Sequence, residues 1–493
     1  MNLTSRFKSI LHNDGNKKIL GTKINKIWEW TTRETLKNNV LYCVDVLKNN
    51  NVQENDRIMY KGNNSVNWVS WDIATNALGA TFVPLYENQN SQYVNHIIED
   101  CEPRLFITNG FYNNVNLLKD NIETISSNSE IPETRKNNLS KLIYTSGTTG
   151  KPKGVMLSHE NILSNIENIE KRFSDLQFEN TYTSLNILPW AHIYGLTTEL
   201  YYNILNNNKI ALCSGPQEFV TELREIQPDL LYLVPRVLQM IKNKLQFFDK
   251  PFIRMLLPLI IKRVFGKNLI TIFVGGSQLD QTTKAFYKQY DINICEGYGC
   301  TETSPMISVN HSSSPRNEQS VGKTFENTIV KIIDHEICVS GPGVMQGYYN
   351  NKEATKSVFV EQDGVSYYKT GDEGLCIQDF IFYKGRISEN YKLSNGKFVN
   401  VNNIENIVKK HTPNVFVIYG NNKDYNIIIC EKDSNLTHDV LDVINEELDT
   451  YLHIKKICYL ETGSFQDILT PKMSIKRKEL EIKFQDQIED IYK

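Results

Sequence analysis

Leu142-Ile143-Tyr144-Thr145-Ser146-Gly147-Thr148-Thr149-Gly150-Lys151-Pro152-Lys153-Gly154-Val155 is the most informative run in this 493-residue chain. An apolar β-like segment enters, a loop of hydroxyls and glycines turns, and a second apolar strand leaves. The loop offers free backbone N–H groups, hydroxyls beside Gly150, and the lysines Lys151 and Lys153. Those parts suit a polyphosphate: small residues let the backbone approach it, and lysine neutralises its charge. The plainer reading is a turn in a surface hairpin. It is not a Walker A loop, because Gly147 and Gly150 are three apart and Pro152 follows Lys151. No G-x-G-x-x-G follows the first strand, so a dinucleotide site has no support.

Outward from that run, strand and helix patterns alternate. The spacing of Leu36, Val40, Leu41, Val44 and Leu47 predicts a helix over 27–47, and 67–78 and 93–98 read as further helices. Arg57–Tyr60, Gly79–Leu85 and Leu105–Ile107 read as strands, and the polar stretch 121–138 as an exposed loop. This alternation predicts an α/β class with parallel-rich sheets in a large, multi-subdomain N-terminal part, residues 1–385. Beyond about Ile387 the segments shorten. Residues 415–418, 425–430 and 457–460 read as strands, and 404–409 and 440–448 as helices, giving a small α+β unit over 386–493.

Composition is that of a globular chain, with 40% apolar and 23% charged residues. A net charge of −3 gives no global attraction to nucleic acid, and no nucleic-acid partner is expected. The nine cysteines are scattered without a C-x-x-C pair, which removes zinc-ribbon and thioredoxin readings and predicts reduced, mostly buried thiols. The residues from Met1 to Phe7 lack a secretory apolar core, and no run of about 18 apolar residues occurs. A cytoplasmic location is therefore expected. The apolar and basic segment 252–265 is expected either to rest on a membrane surface or to form a core helix interrupted at Pro258.

The run Tyr144–Gly154 resembles the signature of AMP-forming acyl-adenylating enzymes, the superfamily of acyl-CoA synthetases, luciferase and peptide-synthetase adenylation domains. Further motifs follow in the family's order. Leu188-Pro189-Trp190-Ala191-His192-Ile193-Tyr194-Gly195-Leu196 is similar to its His motif, and Glu296-Gly297-Tyr298-Gly299-Cys300-Thr301-Glu302 to its Y-G-x-T-E motif. Thr370-Gly371-Asp372 resembles the T-G-D motif, and Gly385-Arg386 the domain junction. The stretches 387–401 and Leu233-Val234-Pro235-Arg236-Val237 look most like long-chain fatty acid–CoA ligases, with Glu389 at the acidic hinge position.

The resemblance implies a fatty acid, ATP, Mg²⁺ and CoA as reagents, an acyl-adenylate intermediate, and a C-terminal lid that rotates between two half-reactions. It implies that Thr145, Ser146, Gly147, Thr148, Thr149, Gly150 and Lys151 hold phosphate. Gly275, Gly276, Ser277, Glu296, Gly297, Tyr298, Gly299, Asp372 and Arg386 would surround adenine and ribose. Thr145 and Glu302 would hold the metal, with Thr301 against the nucleotide and His192 where carboxylate and α-phosphate meet. The chemistry of these groups agrees: Glu302 is a hard oxygen ligand, the two oxygens of Asp372 match two ribose hydroxyls, and Arg386 is always charged. Standing alone, Glu302 would read as a solvated loop carboxylate, Asp372 as an Asx turn and His192 as a core histidine.

One motif departs. In Leu469-Thr470-Pro471-Lys472-Met473-Ser474-Ile475-Lys476-Arg477-Lys478 a serine stands where the family's adenylation lysine is expected. Lys472 and Lys476 lie two residues away on either side, and in an extended segment such residues share a face. Lys476 is taken as the catalytic substitute. Two alternatives stay open: an adenylating ligase that serves a carrier-protein thiol or an aryl acid, and a catalytically weakened lipid- or nucleotide-binding homologue.

Overall fold

The computed structural model describes residues 2–122, 130–132, 138–146, 152–175, 181–246, 257–412, 414–469 and 475–493. Gly147, Thr148, Thr149, Gly150, Lys151, Lys472 and Ser474, the side chain of Ser146, and most of the stretch 121–138 lie outside the described residues.

Two large mixed sheets dominate the first 386 residues. In one, Lys18–Ile24, Lys209–Leu212, Thr183–Asn186, Leu230–Leu233, Thr271–Val274 and Ile294–Gly299 run parallel side by side. Antiparallel strands then extend it through Met306–Val309, Lys323–Thr324, Phe380–Arg386 and Val365–Ile377. The second sheet sets Leu105–Ile107, Arg57–Lys61, Thr81–Leu85 and Leu139–Ser146 in parallel. The antiparallel strands Pro152–Ser158 and Gly347–Tyr348 complete that edge. Thr81–Leu85 is buried throughout, as a parallel strand covered on both faces requires.

The expected helix over 27–47 divides. Ile27–Thr32 is a strand paired antiparallel with Lys18–Ile24, and the helix is Arg33–Asn49. The cause is local: Trp28 and Trp30 stand two apart, the period of a strand. Thr32 then caps the helix by accepting the Thr35 N–H at 3.2 Å. The other expected helices and strands of this part form within one to two residues of their predicted ends, at Val66–Ala77, Ser91–Cys101, Arg57–Lys61, Thr81–Leu85 and Leu105–Ile107, apart from the longer reach of Ser91–Cys101.

The helix His159–Arg172 ties the two sheets together. Ser158 accepts the Asn161 N–H at 3.1 Å and Asn161 returns the contact to the Ser158 N–H at 2.8 Å, a reciprocal N-terminal cap. The Asn161 amide also donates to the carbonyls of Pro342 and Val344. At the other end Arg172 donates to the carbonyls of Val309, Lys323 and Thr324. The helix is thereby pinned against the sheet that carries the Y-G-x-T-E motif.

After Arg386 the chain builds its own core. Phe416–Tyr419, Asn426–Glu431 and Ile454–Leu460 form a three-stranded sheet. Ile428 and Cys430 pack on the helices Val401–His411 and His438–Glu446, while Ile427 and Ile429 pack on Leu480, Phe484 and Ile488. Alternate residues thus serve opposite helical layers. The described part of 252–265 is the helix Leu257–Phe265. It buries Leu257, Ile261, Val264 and Phe265 in the core while Leu259 is 64% exposed. No helix among the described residues is long and apolar enough to cross a membrane. All nine cysteines are unpaired, and six of them are buried.

Candidate active site

The His, Gly-Gly and Y-G-x-T-E motifs converge on one narrow, largely apolar cavity. His192, Gly275, Gly276, Gly297, Tyr298, Gly299 and Cys300 line it. Its apolar wall comes from Ile169 on the pinned helix, Phe173 just past its end, and Tyr232, Phe273, Met306 and Val309 on neighbouring strands. Tyr232 stacks on Phe273 at 5.1 Å, and Phe173 meets Phe273 edge-on at 5.0 Å.

The strand Ile294–Gly299 delivers the Y-G-x-T-E residues to the edge of this cavity. Gly299 has φ +156°, and a Cβ there would lie 1.9 Å from the Pro305 carbonyl oxygen, so only glycine allows the chain to turn here. The turn Thr301–Thr303 follows, with Thr301 buried and Glu302 partly open. Glu302 accepts the Tyr348 hydroxyl at 2.9 Å. Tyr348 pairs with Val155 in the outgoing strand of the phosphate-loop hairpin, and the Lys153 ammonium lies 5.2 Å above its ring. The register of that hairpin sets Thr145 opposite Lys153. Tyr348, on which the sequence reading was silent, therefore joins the hairpin to the Glu302 carboxylate. The Glu302 oxygens and the half-buried Thr145 hydroxyl are hard donors of the type Mg²⁺ takes.

On the other side Asp372 is buried in the strand Val365–Ile377, two residues after Thr370, whose hydroxyl accepts the Asp372 N–H. One carboxylate oxygen accepts the Tyr298 hydroxyl at 2.7 Å and the other lies 3.0 Å from the Arg386 guanidinium. Burial pushes this carboxyl up to about 6, opposed by the Arg386 charge and the Tyr298 hydrogen bond. The structure thus brings Tyr298, Asp372 and Arg386 together, three positions that lie far apart in sequence.

His192 sits at the entrance to a π-helical segment, Tyr194–Tyr201, and its Nδ1 accepts the Tyr194 N–H at 3.1 Å. In the neutral ring this makes Nε2 the protonated nitrogen. Gly275 passes close to the Tyr194 ring, where a Cβ would approach within 3.3 Å, and Ser277 is exposed beyond it.

Two expected residues are not brought in. The Glu296 carboxylate does not line the cavity: it is ion-paired with Lys284 and accepts the Leu279 N–H at 3.0 Å, so its side chain braces the strand. Lys476 is held 3.0 Å from Glu479 on the helix it precedes. Its neighbour Arg477 pairs with Glu405, lies 3.8 Å from Glu389, and donates to the Ile418 carbonyl, anchoring this segment within the C-terminal unit.

Residues 12–349 match the AMP-binding enzyme family and residues 389–493 the AMP-binding enzyme C-terminal domain. The chain belongs to the AMP-binding enzyme family. These enzymes use ATP, Mg²⁺ and CoA. Among its relatives, Long chain acyl-CoA synthetase 3 of Arabidopsis thaliana is 24% identical over 97% of this chain and 89% of that protein. Probable 4-coumarate--CoA ligase 1 of Dictyostelium discoideum is 31% identical over 49% of this chain and 43% of its own length. ATP-bound MatB from Rhodopseudomonas palustris shares the fold, with a TM-score of 0.82 at 20% identity over the whole of both chains.

Proposed function

We propose that this AMP-binding enzyme is an acid–thiol ligase that converts a fatty acid, ATP and CoA into acyl-CoA, AMP and diphosphate. The observation that carries the reading is the apolar cavity opening at His192 beside the Tyr298–Asp372–Arg386 cluster. It offers an apolar wall against which an acyl body would pack, next to a buried carboxylate suited to ribose hydroxyls. The likeness to a long-chain acyl-CoA synthetase over nearly the whole chain supports a fatty acid as the substrate.

In this reading the substrate carboxylate, already ionised at pH 7, attacks the α-phosphorus and diphosphate leaves. No general base is needed. The demand is for positioning and for stabilising charge on the phosphate oxygens. Glu302 and Thr145 would hold Mg²⁺, which supplies charge neutralisation to the polyphosphate. Asp372 fixes the ribose, and His192, on the cavity wall, would orient an oxygen at the reacting centre. In the second step the CoA thiol loses its proton, its sulfur bonds to the acyl carbon, and AMP leaves with the bonding pair.

We assign residues 386–493 to a lid that turns between the two steps. Polar contacts at the junction support this: the Asn390 and Asn400 amides donate to Glu373, and Asn402 to the Lys384 carbonyl. Such an interface separates more readily than an apolar one. Lys476 would reach the phosphate only after leaving Glu479. Diphosphate exchange and CoA-dependent AMP release, measured with fatty acids of several lengths, test the proposal. Absence of acid-dependent AMP with CoA present would refute it. An aryl acid is a second reading, favoured by the flat Tyr232–Phe273 stack in the cavity wall.

A further inference from the structure

The hairpin that carries Thr145 and Lys153 outruns its sheet. Among the described residues its entering leg, Leu139–Ser146, pairs with Thr81–Leu85 only at Lys141. On the outgoing leg the ladder continues: Met156 and Val155 pair with Gly347 and Tyr348, and the Tyr349 N–H donates to the Gly154 carbonyl at 2.7 Å. Backbone held on one edge only opens more easily than backbone held on both.

The helix Ser91–Cys101 supplies the missing edge. Its residues Tyr93, His96 and Asp100 stand at i, i+3 and i+7, on one helical face, and all three bond to the hairpin. The Tyr93 hydroxyl donates to the Tyr144 carbonyl at 3.4 Å, and Asp100 accepts the Tyr144 hydroxyl. The Nε2 of His96 lies 3.4 Å from the Pro152 carbonyl oxygen, and because a carbonyl only accepts, this nitrogen is the donor. Those two carbonyls belong to the peptide groups immediately before Thr145 and Lys153, which face each other in the register. One helix face thus holds both peptide units that aim this pair. The helix is itself fixed, with Val94, Ile97 and Cys101 buried on the sheet and Arg57 donating to the carbonyls of Cys101 and Glu102 at 2.7 and 2.8 Å. The Asn350 amide donates to the Asp100 carbonyl at 2.9 Å, just past Tyr348, whose hydroxyl meets Glu302. Tyr298, Asp372 and Arg386 stand on the other sheet.

We propose that Tyr93, His96 and Asp100 are positioning residues for the polyphosphate of ATP. They hold Thr145 and Lys153 where the β- and γ-phosphates are met, and they leave the AMP half of the nucleotide to the other sheet. The inference rests on the reading that Thr145 serves the metal and the phosphates.

Calorimetric titration of the full-length protein with Mg·ATP and, separately, with AMP tests this, because AMP lacks the β- and γ-phosphates. Tyr93→Phe and His96→Leu should each raise the Kd for Mg·ATP about threefold, and the two together about tenfold, with the Kd for AMP unchanged. Tyr144→Phe, which takes the hydroxyl from Asp100, should act like either single variant. His96→Gln keeps an N–H donor and should restore most of the affinity that His96→Leu loses. A helix that merely supports the fold would weaken both nucleotides in parallel. That result, or an ATP-to-AMP affinity ratio unmoved in the double variant, would overturn the proposal. Thr145→Val separates it from the reading beneath it. A ratio that changes in Thr145→Val but not in the helix variants overturns the inference alone. A ratio that does not change in Thr145→Val removes this residue from the polyphosphate, and the inference falls with it.

Discussion

Replacing Asp372 with Asn should stabilise the protein near pH 7.5 and weaken its grip on ATP. The carboxyl titrates near 6 in the folded protein, chiefly because it is buried, against about 3.9 in an unfolded chain. Between those values the folded state binds the proton that the unfolded state has lost. Stability from this group is therefore full below about pH 4 and falls as pH rises through about 6. Above that the burial of the charge costs about 3 kcal/mol. Asparagine keeps an oxygen for the Tyr298 hydroxyl and removes the charge. Arg386, whose side chain is 45% exposed, can turn to water when its partner is neutral. The melting temperature of Asp372→Asn should accordingly exceed that of the wild type by a few degrees at pH 7.5, with the difference vanishing near pH 4.

Function should move the other way. Asparagine offers one acceptor oxygen where the carboxylate offers two, and it lacks the charge that strengthens a hydrogen bond to a ribose hydroxyl. A loss of about 1.5–3 kcal/mol corresponds to a Kd for Mg·ATP raised about tenfold to a hundredfold. In the wild type the same affinity should decline as pH falls through about 6, because the acceptor is then protonated. Melting curves over pH 4–8 and calorimetric titration with Mg·ATP measure both effects. A variant that is less stable at every pH, with ATP affinity unchanged, would show that Asp372 is a structural partner of Arg386 and not the ribose acceptor.

Tyr348→Phe removes the hydroxyl that orients Glu302 and should raise the Mg²⁺ concentration for half-maximal activity about tenfold, read from a magnesium titration of AMP release. Arg477→Met leaves Glu405 only the looser pair with Lys409 at 3.8 Å and should destabilise the C-terminal unit by about 1–3 kcal/mol, visible as an earlier denaturant transition. Lys476→Ala should slow diphosphate exchange about a hundredfold while sparing thioester formation from synthetic acyl-adenylate, and Ser474→Lys should restore the exchange. Exchange that is unaffected by Lys476→Ala would remove this lysine from adenylation.

What sequence reading captures here, and what it misses, follows from how each feature is encoded. The Y-G-x-T-E run is contiguous, and its glycine answers a constraint that a single position carries: the Pro305 carbonyl leaves no room for a Cβ at Gly299. Alternating strands and helices are legible for the same reason, since period and caps are local. The reading fails first where two periods overlap. The helical spacing from Leu36 onward runs back into Ile27–Trp30, and only the cap at Thr32 separates strand from helix. It fails next where proximity is tertiary. Glu296 lies inside the motif, yet its side chain is spent on Lys284, because successive residues of a strand point to opposite faces. Tyr348 lies outside every motif, yet it meets Glu302 because the strand Gly347–Tyr348 pairs beside the phosphate hairpin. The cavity wall is the extreme case. Phe173, Tyr194, Tyr232 and Phe273 come from four elements, and each alone reads as ordinary core. Only their assembly makes one cavity wall of them. A wall of this kind is thus written in side chains that share a surface without sharing a segment, which is why contiguous motifs do not disclose it.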